Sequence, residues 1–153
     1  MKIMFVCYGN ICRSPMAEFI MKKLVRDKGL GHRIEISSSA TSSEEIINGI
    51  GNPMYPPAVR ELDKRGIPHT PRHAVRLRAD DIDKHDLFIG VEESVIRDMR
   101  RILGSAAAPK IKKLLDYTPR GGDVADPWYT NRFDIAYNDI YEGCEALLAA
   151  IAD

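Results

Sequence analysis

Cys7 and Arg13 frame the run Tyr8-Gly9-Asn10-Ile11-Cys12, which lies between an apolar segment and a helical one. A thiol and a guanidinium so spaced suit a nucleophile for phosphate esters. Lys2-Ile3-Met4-Phe5-Val6 reads as a short buried strand, and Ser14 and Pro15 supply an N-cap and a first-turn proline for the amphipathic run 16–24. A strand end and a helix start therefore bracket the thiol. Unpaired N–H groups at a helix start and in a curled loop point inward and favour an anion. Two anions can use such a cradle: a bound phosphate and the Cys7 thiolate, which is favoured over the thiol there. Arg13 adds a planar fork that can hold two phosphoryl oxygens at once, as a lysine could not. Gly9 permits close backbone approach or positive φ, and Asn10 tolerates left-handed geometry. A lone Cys-x5-Arg could equally be an inert buried thiol, but the glycine, asparagine, serine and proline together argue against that.

Cleaving a phosphomonoester leaves an alkoxide or phenolate, so the reaction needs a proton donor across phosphorus from the sulfur. Asp123-Val124-Ala125-Asp126-Pro127-Trp128-Tyr129 offers one. Pro127 pushes Asp126 out of helical geometry onto a loop, and Trp128 and Tyr129 provide flat walls. Beside a phosphate dianion, like-charge repulsion favours the protonated Asp126 carboxyl, which can then act as a general acid. Alone, an Asp-Pro is more often a turn beside core aromatics; the Cys7 loop gives it a task.

The elements that must position these groups alternate. Strand patterns fall at 2–6, 33–37, 86–91 and 110–115, and helical patterns at 15–28, 57–65, 92–103 and 134–152. This is an α/β arrangement, a parallel sheet covered on both faces, whose ligands bind beyond the carboxyl ends of the strands. The Cys7 loop leaves such an end. Residues 37–57, polar and then rich in Gly and Pro, read as a long surface connection near the site. Ile135, Ile140, Leu147, Leu148 and Ile151 form a helical apolar stripe suited to the core.

The chain of 153 residues fits a single domain, residues 1–153. Three cysteines and no signal pattern point to a reducing cytoplasm, and no apolar run reaches the ~18 residues of a membrane span. Lys plus Arg (22) balances Asp plus Glu (22), so neither nucleic acid nor a membrane is an expected partner. His32, His69 and His85 lack metal-ligand spacing.

Cys7-Tyr8-Gly9-Asn10-Ile11-Cys12-Arg13-Ser14-Pro15-Met16-Ala17-Glu18 together with Asp126-Pro127-Trp128-Tyr129 resembles the low-molecular-weight protein tyrosine phosphatases. Gly51-Asn52-Pro53 and Glu93-Ser94-Val95-Ile96-Arg97-Asp98-Met99 are similar to intervening family segments, so the likeness covers nearly the whole chain. The resemblance implies a four-stranded parallel sheet flanked by helices, with the phosphate-binding loop between the first strand and the first helix. It also implies hydrolysis without metal or organic cofactor. Cys7 would attack phosphorus, Arg13 bind the transferred group, and Asp126 protonate the leaving oxygen and then activate water against the cysteinyl-phosphate. Tyr8, Gly9, Asn10, Ile11, Cys12 and Ser14 would bind substrate through the loop, with Asn10 and Ser14 bracing it and contacting the thiolate. Trp128 and Tyr129 would line the substrate. Cys12 matches a family thiol that forms a reversible disulfide with Cys7, although a small buried residue is an equal reading; Cys144 reads as structural.

Two departures stand out. Where many relatives carry a tryptophan after the second strand, this chain has Thr41-Ser42-Ser43-Glu44-Glu45, so one aromatic wall is missing. Arg72, rather than His73, aligns with a family histidine, so the network around Asn10 is built differently. The expected substrate is a phosphotyrosine protein or aryl phosphate: only a long ring reaches the thiolate, and a phenol with a pKa near about 10 leaves readily. The expected enzyme is a monomer. An arginine phosphatase of the same family is the alternative, but those relatives have a threonine at the position of Ile11. Arsenate reduction would need two relay cysteines, and residues 72–96 contain none. A non-catalytic phosphotyrosine-binding module would need neither nucleophile nor acid.

Overall fold

The computed structural model describes residues 1–152. Five strand-forming residues, Ile3 to Val6 and Cys7, are all buried in β1 (Lys2–Cys7). The chain continues through α1 (Arg13–Asp27), β2 (Glu35–Ala40), a two-stranded hairpin of β3 (Ile46–Ile47) and β4 (Ile50–Gly51), and α2 (Pro56–Lys64). There follow β5 (Leu87–Gly90), α3 (Glu93–Leu103), β6 (Ile111–Lys113), the short α4 (Pro127–Thr130) and α5 (Phe133–Ile151). The main sheet has four parallel strands in the order β2-β1-β5-β6. Helices α1, α2 and α5 pack against one another, while α3 lies on β5 and β6. No helix among the described residues is long and apolar enough to cross a membrane.

Because β1 pairs with β2 on one side and β5 on the other, the connections diverge at its carboxyl end, and a crevice opens there. Cys7 is the last residue of β1, in register with Ala40. Gly90 ends β5 in register with Val6; a Cβ there would stand 2.6 Å from Ile96 Cδ1 and 2.8 Å from Met99 Sδ, so glycine lets α3 press onto the sheet.

Several boundaries differ from the sequence expectation. The second strand runs over Glu35–Ala40 rather than 33–37, because Ser38 and Ser39, polar in the sequence, are buried with their hydroxyls hydrogen-bonded to Glu18 and to Met4 Sδ. The fourth strand ends at Lys113, and Leu114–Tyr117 turns into a 3-10 helix under α5. The stretch 37–57 is not a plain connection: it holds the β3–β4 hairpin, closed by Asn48 and Gly49 at positive φ. In the C-terminal helix Ile140, Leu147 and Leu148 are buried and Ile151 packs against the core, but Ile135 is exposed at the first turn. Cys144 is buried in α5, its Sγ 3.9 Å from the Ala17 carbonyl, as a structural thiol should be.

Candidate active site

The loop after β1 turns its carbonyls outward. Tyr8 O accepts from Ser42 N–H (3.1 Å) and Ser42 Oγ (2.8 Å), and Asn10 O accepts from Arg72 Nη1 (2.9 Å). Ile11 O accepts from Tyr55 N–H (2.7 Å) and Cys12 O from Met16 N–H (3.0 Å). With those carbonyls committed, the N–H groups are left for the concave side: Asn10 N–H donates to Cys7 Sγ at 3.2 Å, and those of Tyr8, Gly9, Ile11 and Cys12 have no acceptor among the described residues. Such a ring of unpaired donors is an anion cradle.

Asn10 fixes this shape. Its φ is 62°, the left-handed value that asparagine tolerates. Nδ2 donates to Ser14 Oγ (2.8 Å) and Ser38 Oγ (3.1 Å), while Oδ1 accepts from Arg72 Nη2 (2.7 Å) and Val75 N–H (3.0 Å). Both amide ends of this buried side chain are satisfied, which a buried amide requires. Arg72 therefore builds the brace that the sequence departure foreshadowed, and His73 instead contacts Gly51 O through Nδ1 (2.9 Å). Burial pulls the Arg72 guanidinium below its ordinary pKa, opposed by the charges of Glu18 and Cys7.

Gly9 does not adopt positive φ; a Cβ there would meet Glu45 Cγ at 3.2 Å, so the glycine leaves room for the Glu45 side chain against the loop. Ser14 is not the N-cap. Helix α1 begins at Arg13 with Cys12 as cap residue, and the Ser14 hydroxyl instead faces Cys7 Sγ at 2.9 Å. With Asn10 donating to Ser14 Oγ, the hydroxyl proton has two acceptors in reach, the Ser39 carbonyl at 3.4 Å and the closer Cys7 sulfur, and a sulfur anion draws it to the latter. Cys12 is half-buried beside the same sulfur; burial, and then the Cys7 charge, push its pKa far up, so it rests as a thiol.

Arg13 is only 5% exposed. Its Nη1 donates to Glu92 Oε2 (2.8 Å) and Val124 O (3.1 Å), and Nη2 lies 3.5 Å from Asp126 Oδ2. With Nη1 so committed, the Nε and Nη2 edge is the one a phosphoryl group can take. Burial pulls its pKa down, but the Glu92 hydrogen bond and the charges of Cys7, Glu92 and Asp126 outweigh that and hold it above the ordinary value. Conversely, burial pushes Glu92 up, yet hydrogen bonds from Arg13 and Ser94 hold it below the usual carboxylate range.

Asp126 is extended (φ −94°, ψ 105°) and caps α4, with Pro127 at the first helical position. Its Oδ1 accepts from Trp128 N–H at 3.0 Å, which leaves Oδ2 turned toward Arg13. The Trp128 ring rests on Tyr55 at 5.3 Å between centroids and is 60% exposed; Tyr129 is 83% exposed. Cys7, Tyr8, Gly9, Asn10, Ile11, Cys12, Arg13, Asp126, Trp128 and Tyr129 line one cavity of about 190 Å³, with Ser14 behind the sulfur. Glu44 and Glu45, from the segment that lacks the tryptophan, line the same cavity.

Four contributors escaped sequence reasoning: Glu92, which orients Arg13; Ser38, which holds Asn10; Tyr55, which backs Trp128; and Glu45 on the rim. Ser38, Tyr55 and Glu45 all fall within residues 37–57, the connection placed near the site, and that was their only signal; Glu92 offered none.

Comparison with known proteins matches residues 2–153 to the family model described as low molecular weight phosphotyrosine protein phosphatase. The chain is 37% identical over 151 residues to the low molecular weight protein-tyrosine-phosphatase YfkJ of Bacillus subtilis (strain 168), spanning 97% of this chain and 94% of that protein. It is 34% identical over 151 residues to the low molecular weight phosphotyrosine protein phosphatase of Rattus norvegicus, spanning 95% of this chain and 92% of that one. The crystal structure of YfkJ superposes with a TM-score of 0.93 at 36% identity, over 99% of this chain and 94% of that chain. A full-length family match and relatives above 30% identity from a bacterium and a mammal, on the parallel sheet found here, place the chain in the low molecular weight phosphotyrosine protein phosphatase family.

Proposed function

We propose that this chain hydrolyses phosphotyrosine in proteins, with Cys7 as nucleophile, Arg13 as phosphoryl ligand and Asp126 as acid and then base. The observation that carries the reading is the loop itself: carbonyls tied outward, donors inward, and the Cys7 sulfur held by Asn10 N–H and Ser14 Oγ at its base. The dianion enters between the loop N–H groups and the Nε/Nη2 edge of Arg13, and its ring lies along Trp128 and Tyr129. Cys7 sulfur attacks phosphorus in line; the phosphorus to phenolic oxygen bond breaks as Asp126 Oδ2 delivers its proton to that oxygen. The donors on the equatorial oxygens stabilise the charge of the transition state. Water then attacks phosphorus, Asp126 takes its proton, and the phosphorus to sulfur bond breaks to return the thiolate, which the Ser14 hydroxyl stabilises as it leaves.

Residues 1–153 act as one catalytic domain in this reading, as a cytoplasmic monomer with no nucleic-acid partner; the balance of 22 basic and 22 acidic side chains supports the last point. Ile11 on the cavity wall favours an aryl ring over a guanidinium. Matched phosphotyrosine and phosphoarginine peptides test this: the former should be cleaved, and preference for the latter would overturn it. Cys7→Ser should abolish turnover of p-nitrophenyl phosphate, and Asp126→Ala should lower it by about 10²–10⁴-fold. Wild-type turnover in Cys7→Ser would reject covalent catalysis.

A further inference from the structure

The β3–β4 hairpin carries a surface that the chemistry does not use. Asn52 N–H donates to Glu45 O (2.8 Å) and Asn52 Nδ2 to Glu45 Oε1 (3.0 Å), so these two residues face each other just before the pairs Ile46↔Gly51 and Ile47↔Ile50. Side chains alternate along a strand, so Glu45, Asn52, Ile47 and Ile50 share one face of the ribbon and Ile46 and Gly51 the other. The second face is closed: a Cβ on Gly51 would stand 1.9 Å from Ala74 O, and His73 Nδ1 and a bridge from Pro53 to His73 pin the same edge. The first face is open, with Ile47 58% and Ile50 69% exposed.

Glu45 belongs to the wall of the active-site cavity, so the isoleucine pair continues that wall outward by about 7 Å, the length of two extended residues. Neither Glu44 nor Glu45 forms an ion pair among the described residues, although both stand beside a cavity for a phosphate. Uncompensated carboxylates there repel an acidic substrate segment and attract a basic one.

We infer that this face is a docking strip for the substrate chain beside its phosphotyrosine. A basic residue next to the phosphotyrosine lies against Glu44 and Glu45, and an aliphatic residue two positions further out lies on Ile47 and Ile50. The inference rests on the cavity being the phosphotyrosine site, and the strip follows without a break from its wall.

Phosphotyrosine peptides carrying Lys at the adjacent position and Leu two positions beyond, on either flank, are to be compared with peptides carrying Glu and Ser there. Each kcat/KM is divided by that of the same protein for p-nitrophenyl phosphate, which occupies the cavity and does not extend to Ile47 and Ile50, so that any change a variant makes in the cavity itself cancels. The Lys/Leu peptide on one flank should be favoured about tenfold, from exposed charge pairs worth about 2–5-fold and partial aliphatic burial of about the same size. Glu44→Gln/Glu45→Gln, or salt near about 1 M, should remove the Lys preference, and Ile47→Ser/Ile50→Ser the Leu preference. Equal rates for all peptides in the wild type, or preferences that survive both double variants, overturn the strip. So does sedimentation showing that Ile47→Ser/Ile50→Ser converts a dimer to a monomer, since a second copy would then cover the face. A wild type inert toward p-nitrophenyl phosphate would instead overturn the phosphatase reading.

Discussion

Arg72→Ala removes a side chain that touches no substrate, yet it should reach the nucleophile. Arg72 donates to Asn10 O at 2.9 Å and to Asn10 Oδ1 at 2.7 Å, and its side chain is 13% exposed. Hydrogen bonds from a charged donor contribute about 1.5–3 kcal/mol each. Val75 N–H still satisfies Oδ1, and Glu18 keeps Lys22 and Ser38, so the combined loss is nearer to about 2–4 kcal/mol. For a chain of this size that lowers Tm by about 5–15 °C. Asn10 in turn supplies the 3.2 Å N–H bond to Cys7 Sγ and positions Ser14, so a slackened Asn10 misplaces both donors to the sulfur. Misplacement of about 1 Å near reacting atoms can lower rates up to about 10²-fold, and kcat/KM for p-nitrophenyl phosphate should fall by about 10–100-fold. The rate of Cys7 alkylation by iodoacetate at pH 6, measured well below the melting temperature, separates an effect on the thiolate from simple unfolding. Arg72→Lys, able to keep one of the two bonds, should fall between wild type and Arg72→Ala. Wild-type alkylation and kcat/KM in folded Arg72→Ala would refute the chain of contacts from Arg72 to the sulfur.

Glu92→Gln keeps the shape of the Arg13 partner and removes its charge; kcat/KM should fall by about tenfold or more as the fork loses its anchor. Because Glu92 is held below the ordinary carboxylate value of 4.5, the stability it contributes is complete above that pH and lost as pH falls through the lower folded value. The stability gap between wild type and Glu92→Gln in denaturant titrations should accordingly close on acidification and stay constant above neutrality. Gly51→Ala puts a methyl group into Ala74 O, 1.9 Å away, and should destabilise the protein by about 1–3 kcal/mol in the same titrations while detaching the hairpin. Iodoacetate at pH 6 should label Cys7 and leave Cys12 intact by mass spectrometry, since burial and the neighbouring sulfur keep Cys12 protonated.

What could be read from the sequence was what lies close together in it. The loop from Cys7 to Arg13 is contiguous, so its left-handed Asn10, the strand before it and the helix after it all left marks on neighbouring residues. Asp126 announced itself through Pro127 in the same way. Glu92 gave no such mark, because its partner is Arg13, 79 residues away, and a glutamate at the start of a helix has an ordinary explanation. Ser38 misled for a related reason: a serine run reads as loop, and only the packing of α1 on β2 shows that its hydroxyl is spent on Asn10 and Glu18. The hairpin is a different case. Asn48-Gly49 between isoleucines is a strong local turn signal, and the surrounding Gly and Pro residues masked it.

Asp126 has one oxygen tethered to Trp128 N–H and only the other facing Arg13. In the proposed mechanism, therefore, a single atom both surrenders the proton to the departing phenol and recovers one from the incoming water. Entry and exit share one lane. Any small alcohol that fits this lane competes with water for the phosphoryl group, so added glycerol should divert turnover into glycerol phosphate in proportion to its concentration.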